Sequence, residues 1–312
     1  MTRHLRSLLD LDADETARLL DLADAVKAEP AKYAKGLDGK SVAMIFAKQS
    51  TRTRISFEVG IHQLGGQALA LSSSGGTGMQ MGRGETVHDT AKVLSRFVHA
   101  IVIRTYGQAQ VEGLAEHGSV PVINALTDLY HPCQGLADLQ TIRERLGTTK
   151  GKKLVYLGAG NNVAHSLMLA GPRAGMDVVV GCPDSLRPNQ AVLEKARADA
   201  TKWGTRVAVE TDVDAAVKGA DVVYTDTWVS MGEEEEAKRL IEILRPFSVT
   251  PELMAKTGKD DSIFMHCLPA HRGDEVVDAV MDGKWSVVFD QAENRLHAQK
   301  ALLLLLMGAE SF

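Results

Sequence analysis

The stretch Ser41-Val-Ala-Met-Ile-Phe46-Ala-Lys48-Gln-Ser50-Thr51-Arg52-Thr53-Arg54 reads as a buried strand running into the start of a helix. Its first part, Ser41–Phe46, is apolar without alternation, as strands covered on both faces of a parallel sheet are. Ser50 or Thr51 is a natural N-cap, and the helix is predicted to run through Gln63. A helix start leaves backbone N–H groups free at its positive end. With the guanidinium forks of Arg52 and Arg54 and the hydroxyls of Thr51 and Thr53, these donors can converge on one anion. No G-x-x-x-x-G-K-[ST] loop is present, so a nucleoside triphosphate is not the expected ligand.

The same strand-then-helix pattern extends outward in both directions. Further strands are predicted at Gln67–Leu71, Ala100–Arg104 and Pro121–Leu126. A second set follows at Lys153–Leu157, Asp177–Gly181, Arg206–Glu210, Asp221–Thr225, Ser262–His266 and Ser286–Phe289. Helical patterns such as Glu15–Ala28, Gln134–Leu146 and Pro188–Trp203 lie between them. Alternation of this kind indicates an α/β protein, and this many strands fit two doubly wound parallel-sheet domains joined by interdomain helices. The break is expected near Gly147-Thr-Thr-Lys-Gly151. That gives a first domain over residues 1–147 and a second over residues 148–292. A last helix over residues 293–312 is expected to pack back on the first domain. The acidic run Glu233–Glu236 is expected to form the first turn of a helix.

Composition narrows the possible roles. The 312 residues carry 35 basic and 40 acidic side chains, a net charge of −5, so no global basic field draws nucleic acid or an anionic membrane. The longest apolar run, Ala301–Met307, is far short of the roughly 20 residues of a membrane span. Cys133, Cys182 and Cys267 form no C-x-x-C pair, which points to a reducing cytoplasm and no structural zinc.

Ligands in doubly wound folds bind beyond the carboxyl ends of strands, and unusual chemistry gathers there. Arg104-Thr-Tyr106 places another arginine at such an edge. His131-Pro-Cys-Gln134 holds a histidine extended before a proline, as suits a positioned donor. Gly158-Ala-Gly160-Asn161-Asn162 resembles a dinucleotide-binding turn, but Val163 stands where the third glycine would be, which weakens an NAD-dependent oxidoreductase reading. One of the two asparagines is expected to cap a helix, and their amides suit a zwitterionic ligand. Asp226 before Thr227-Trp-Val-Ser230-Met231-Gly232 suits capture of an ammonium group under a lid. Cys267, between a strand end and Pro269, is a candidate reactive thiol.

Assembled, the chain resembles the aspartate/ornithine carbamoyltransferase family over nearly its whole length. The likeness rests on Ser50-Thr-Arg-Thr-Arg-Ile-Ser-Phe-Glu58, His131-Pro-Cys-Gln134, Asp226-Thr-Trp-Val-Ser-Met-Gly232, His266-Cys-Leu-Pro269 and Gln291-Ala-Glu-Asn-Arg-Leu-His297, in family order. The resemblance implies a carbamoyl-phosphate domain first and an amino-acid domain second. It implies that Ser50, Thr51, Arg52 and Thr53 hold the phosphate. Arg104, His131 and Gln134 would bind the carbamoyl group, with Arg295 also lining that site. Gln80 matches a position that reaches a neighbouring subunit's site. Asn162, Asp226, Ser230 and Met231 match ornithine contacts, Cys267 and Leu268 match positions near both substrates, and Leu268-Pro269 matches a cis peptide. Ala159 stands where aspartate is frequent, and Ile55 where threonine is.

The implied reaction passes a carbamoyl group from carbamoyl phosphate to L-ornithine, giving L-citrulline and phosphate, and requires no metal, cofactor or covalent intermediate. Arg52, Arg104, His131, Asp226 and Cys267 are the expected catalytic residues. A homotrimer or trimer-based dodecamer is also implied. Putrescine and N-acetylornithine remain alternative acceptors.

Overall fold

The structure is a computed structural model that describes residues 2–48, 50–72, 84–229 and 237–311. The chain divides into two compact units, residues 1–140 with 293–312, and residues 141–292.

The first unit is built on a parallel sheet of β1 (Ser41–Phe46), β2 (Gln67–Ser72), β3 (Ala100–Arg104) and β4 (Val122–Leu126) in the order β2-β1-β3-β4. β1 pairs on one side with β2, Ser41 opposite Gln67, and on the other with β3, Val42 opposite Ala100. Val42 to Ile45 and Ala100 to Ile103 have no solvent exposure, which accounts for their unbroken apolar sequence. Ala43, Ile45, Ile101, Ile103 and Val122 pack against Ala91, Val111 and Leu114 from the helices Val87–Leu94 and Gln108–His117. Each such valine or isoleucine contributes roughly 1.5–3 kcal/mol by leaving water. At the β4 edge, Leu5 bridges Ile123: its N–H donates to the Val122 carbonyl at 2.9 Å and its carbonyl accepts from Asn124 at 2.8 Å.

The second unit carries β5 (Lys153–Leu157), β6 (Asp177–Gly181), β7 (Val207–Glu210), β8 (Val222–Thr225) and β9 (Ile263–His266), all parallel, in the order β7-β6-β5-β8-β9. Val155, Leu157, Val223 and Phe264 centre one apolar cluster with Phe247, Met254, Val276 and Val288. The chain reverses its direction of winding between β5 and β8, and in the first unit between β1 and β3. Those are the crevices where such sheets take ligands.

One expected strand is not found. Ser286–Phe289 forms only a bridge, Ser286 to Phe264, flanked by hydrogen bonds between Phe264 and residues 285 and 287. The last helix already begins at Val288 and continues to Leu306. A short apolar run such as Val287–Phe289 reads equally as an edge strand or as the first turn of a helix. The last helix, expected over residues 293–312, starts five residues earlier and ends six residues earlier, at Leu306; for the other elements the differences are one or two residues at their ends. Residues 233–236 lie outside the described residues. Among the described residues no helix is long and apolar enough to cross a membrane.

Candidate active site

In the first unit, the helix Thr51–Gln63 starts where the sequence placed it. Ser50 is its N-cap, and its hydroxyl accepts from Thr53 N–H at 3.2 Å. Thr51 and Arg52 are exposed and Thr53 is buried. Arg54 turns away along its own helix to Glu58, at 2.9 Å on an exposed face, and does not join the cluster as the sequence suggested. Arg104, at the end of β3, donates to the Thr53 hydroxyl at 3.4 Å. Arg295, on the last helix, donates to the same hydroxyl at 3.1 Å and to the Gln134 side-chain oxygen at 2.7 Å. Gln134 in turn donates to Asp138 at 2.8 Å. Thr53 is thus the hub that joins the Thr51–Gln63 helix, the end of β3 and the last helix.

His131 is buried just before the helix Pro132–Leu146. Burial first, and then the charges of Arg295, Arg104 and Arg52, hold its pKa well below 6.5. It is therefore a neutral imidazole beside guanidiniums, able to donate or accept one hydrogen bond without adding charge. Cys133 next to it has its thiol pushed up to about 12 by burial and is inert.

In the second unit, β5 is followed by Gly158, whose φ of +141° is a conformation that suits glycine. At Gly160 a Cβ would lie 2.1 Å from the Pro188 nitrogen, so the protein's own peptide fills the approach that a pyrophosphate takes in a dinucleotide fold. The NAD reading loses its geometric basis there. Asn161 is the N-cap of the helix Asn162–Arg173, its Oδ1 accepting from Val163 N–H at 3.0 Å and Ala164 N–H at 3.1 Å. Its Nδ2 donates to Asp226 Oδ2 at 2.9 Å. Asp226, at the end of β8, accepts on Oδ1 from Thr227 N–H at 2.8 Å and from the Cys267 thiol at 2.8 Å. Asn162 begins the helix beside this group, half-buried. Tyr156 lies beneath; burial, then Asp226 and Cys267, raise its hydroxyl well above 10.

The Cys267 turn has its own bracing. Leu268 has a φ of +59° and precedes a cis bond to Pro269. Its N–H donates to His266 Nδ1 at 2.8 Å, which leaves the His266 proton on Nε2, 3.3 Å from Glu275. His266 N–H is held by Gln291 at 2.9 Å. Asp226, His266 and Cys267 each bring one ligand-capable atom within 4.8 Å of the others. Both ring nitrogens and both carboxylate oxygens are committed to hydrogen bonds, so the cluster is a polar network rather than an open cation site.

Gln80, Ser230 and Met231 lie outside the described residues. The remaining expected residues fall into two groups. Ser50, Thr51, Arg52, Thr53, Arg104, His131, Gln134 and Arg295 belong to the first unit, and Asn162, Asp226, Cys267 and Leu268 to the second. Sequence reasoning missed Asn161 as more than a cap, and Tyr156, Glu275 and Gln291 as supports. The paired asparagines were a signal for the first; nothing in the sequence marked Glu275.

These features define an α/β enzyme with an anion cradle on one unit and a held carboxylate on the other. The chain belongs to the aspartate/ornithine carbamoyltransferase family: its carbamoyl-P binding domain matches residues 3–144 and its Asp/Orn binding domain matches residues 150–306. An ornithine carbamoyltransferase of Oceanobacillus iheyensis is 53% identical over 308 residues, covering 98% of this chain and 94% of that protein. An anabolic ornithine carbamoyltransferase of Pyrococcus furiosus is 52% identical over 312 residues, covering 99% and 98%. The solved ornithine carbamoyltransferase structure from Pyrococcus furiosus superposes with a TM-score of 0.94 at 51% identity, covering 98% of this chain and 97% of that one.

Proposed function

We propose that this chain is an ornithine carbamoyltransferase, converting carbamoyl phosphate and L-ornithine to L-citrulline and phosphate in arginine biosynthesis. The observation that carries this reading is the opposite polarity of the two half-sites. Arg52, Arg104 and Arg295 gather around neutral His131 and Thr53 in one unit, whereas Asp226 is set by Asn161, Thr227 and Cys267 in the other. The first suits a doubly charged phosphoryl donor and the second an ammonium. That relatives of this identity are named for the same reaction, one of them as anabolic, supports acceptor and direction.

Ser50, Thr51, Arg52 and Thr53 bind the phosphate, with Gln80 of a neighbouring copy; Arg104, His131, Gln134, Leu268 and Arg295 take the carbamoyl group. Asn162, Asp226, Ser230 and Met231 bind ornithine. The side-chain amine attacks the carbamoyl carbon, and charge grows on the carbamoyl oxygen. Donors fixed at that oxygen stabilise it as an oxyanion hole does, each worth on the order of 10²–10³ in rate. A neutral His131 donates there without losing a proton. Arg52 and the positive helix end stabilise the departing phosphate. The amine attacks only when neutral, although an alkyl ammonium titrates near ~10.4. Desolvation favours its neutral form, and Cys267 and Asp226 position the amino groups while the leaving phosphate accepts the proton.

The chain works as a homotrimer, or a dodecamer of trimers, in the cytoplasm. Ile55 and Val59, one turn apart on the Thr51–Gln63 helix, and Leu69 on β2 are exposed apolar side chains that such an assembly would cover. A citrulline assay against ornithine, putrescine, N-acetylornithine, lysine and aspartate tests the reaction. Turnover is expected with ornithine, and its absence with ornithine overturns the reading.

A further inference from the structure

We infer that Asn161 is a positioning residue for Asp226: its side-chain amide fixes the carboxylate that meets the amino-acid substrate, while the helix cap fixes the amide. The inference rests on the ornithine reading above and assigns a job within that site.

Capping explains only half of this side chain. A cap needs one acceptor, and aspartate, serine or threonine supplies it as well as asparagine does. Here Oδ1 faces two backbone donors, Val163 N–H at 3.0 Å and Ala164 N–H at 3.1 Å. That pairing decides the amide orientation, so the other end must be Nδ2, and it lies 2.9 Å from Asp226 Oδ2. Among good caps asparagine alone carries its donors on a second atom, a side-chain NH2 apart from the oxygen that caps. The contact also bridges the switch point, tying the end of β5 to the end of β8. Asp226 Oδ1 is held from its own side by Thr227 N–H and the Cys267 thiol, both at 2.8 Å. Asn161 therefore fixes the second oxygen and with it the plane of the carboxylate. Among the described residues, titratable groups around this carboxylate include Tyr156, His266 and Cys267.

Asn161→Asp separates the two jobs. It keeps the cap but sets a second carboxylate against Asp226, and two carboxylates sharing a site raise each other's proton affinity. Asn161→Ser keeps a cap and removes the Nδ2 amide that reaches Asp226, without adding charge. Both variants are expected to raise the ornithine KM about tenfold or more, an order typical of one lost hydrogen bond to a charged group. The carbamoyl phosphate KM should stay within about twofold by the same reasoning. In Asn161→Asp alone, the acid limb of kcat/KM for ornithine should move to higher pH.

A readout free of substrate is alkylation of Cys267 by iodoacetamide across pH. Cys133 and Cys182 are buried, with thiols pushed up to about 12 and about 11, and stay silent. Asn161→Asp should move the Cys267 midpoint upward, because added negative charge disfavours the thiolate. Folded variants with an unchanged ornithine KM and an unchanged Cys267 profile overturn the inference, as does an equal rise in both KM values. If the unmodified protein makes no citrulline, the ornithine reading fails, and the alkylation profile still decides whether Asn161 governs Asp226. Should one variant not fold, the other carries the same comparison.

Discussion

The two units use the same winding for opposite electrostatic tasks. In the first, the crevice between β1 and β3 collects arginines from three separate places, the Thr51–Gln63 helix, the end of β3 and the last helix: Arg104 and Arg295 meet at the hydroxyl of Thr53, and all three act on His131. In the second, the crevice between β5 and β8 holds one carboxylate by three neutral donors, from Asn161, Thr227 and Cys267. A crowd of cations is tolerable because their histidine neighbour stays uncharged. A nearly buried carboxylate is tolerable because its oxygens are satisfied. One unit gathers cations around a neutral histidine, and the other holds a carboxylate with its donors in place.

The contrast predicts a crossed pair of defects, the largest effects expected. Arg52→Ala should lower kcat/KM for carbamoyl phosphate by ~10²–10³, the order of one lost charge-stabilising donor. Asp226→Asn should leave carbamoyl phosphate binding nearly intact and lower kcat/KM for ornithine by ~10² or more, as loss of one partner of a buried charged contact does. Steady-state kinetics with each substrate varied in turn checks both. The same defect in both variants would mean that the half-sites are not separate binding elements.

A second difference concerns acid. In the first unit His4, His131 and His297 all have pKa values below 6.5, with burial the leading cause in each. Their protons bind more weakly in the folded chain, so the unfolded chain holds more protons between the folded values and about 6.5. Stability should therefore rise with pH up to about 6.5 and flatten above it as far as these groups are concerned. Thermal melts from about pH 5 to 7.5 should show that slope, and His131→Gln should reduce it. An unchanged slope would show that His131 is not buried uncharged.

Much of this was legible in the sequence, for a physical reason. Unbroken apolar runs such as Val42–Ile45 are what a doubly covered strand requires, and caps such as Ser50 sit where a helix must begin. The run at 286–289 failed because length and periodicity cannot separate an edge strand from a helix start. Site residues on one short segment, such as Arg52 and Thr53, could be read together. Arg295 joins them through Thr53 from 242 positions away, and only the likeness to a family suggested that. Asn161 carried two meanings, and the commoner one, a helix cap, hid the other. Ser50→Ala isolates that capping term in the first unit: a loss of about 0.5–2 kcal/mol in urea unfolding is expected.

The smallest expected effect separates two arginines that the sequence placed side by side. Arg52 opens the helix, but Arg54 pairs with Glu58 one turn along, with more than half of its side chain exposed at 57%. An exposed pair of this spacing contributes about 0.3–0.5 kcal/mol. Arg54→Ala should therefore lower stability by no more than that order, and the carbamoyl phosphate KM should change far less than in Arg52→Ala. Unfolding and kinetics on the two single variants measure the contrast directly. A comparable loss of carbamoyl phosphate binding in Arg54→Ala would return that guanidinium to the anion cradle and make the Glu58 pairing a resting position.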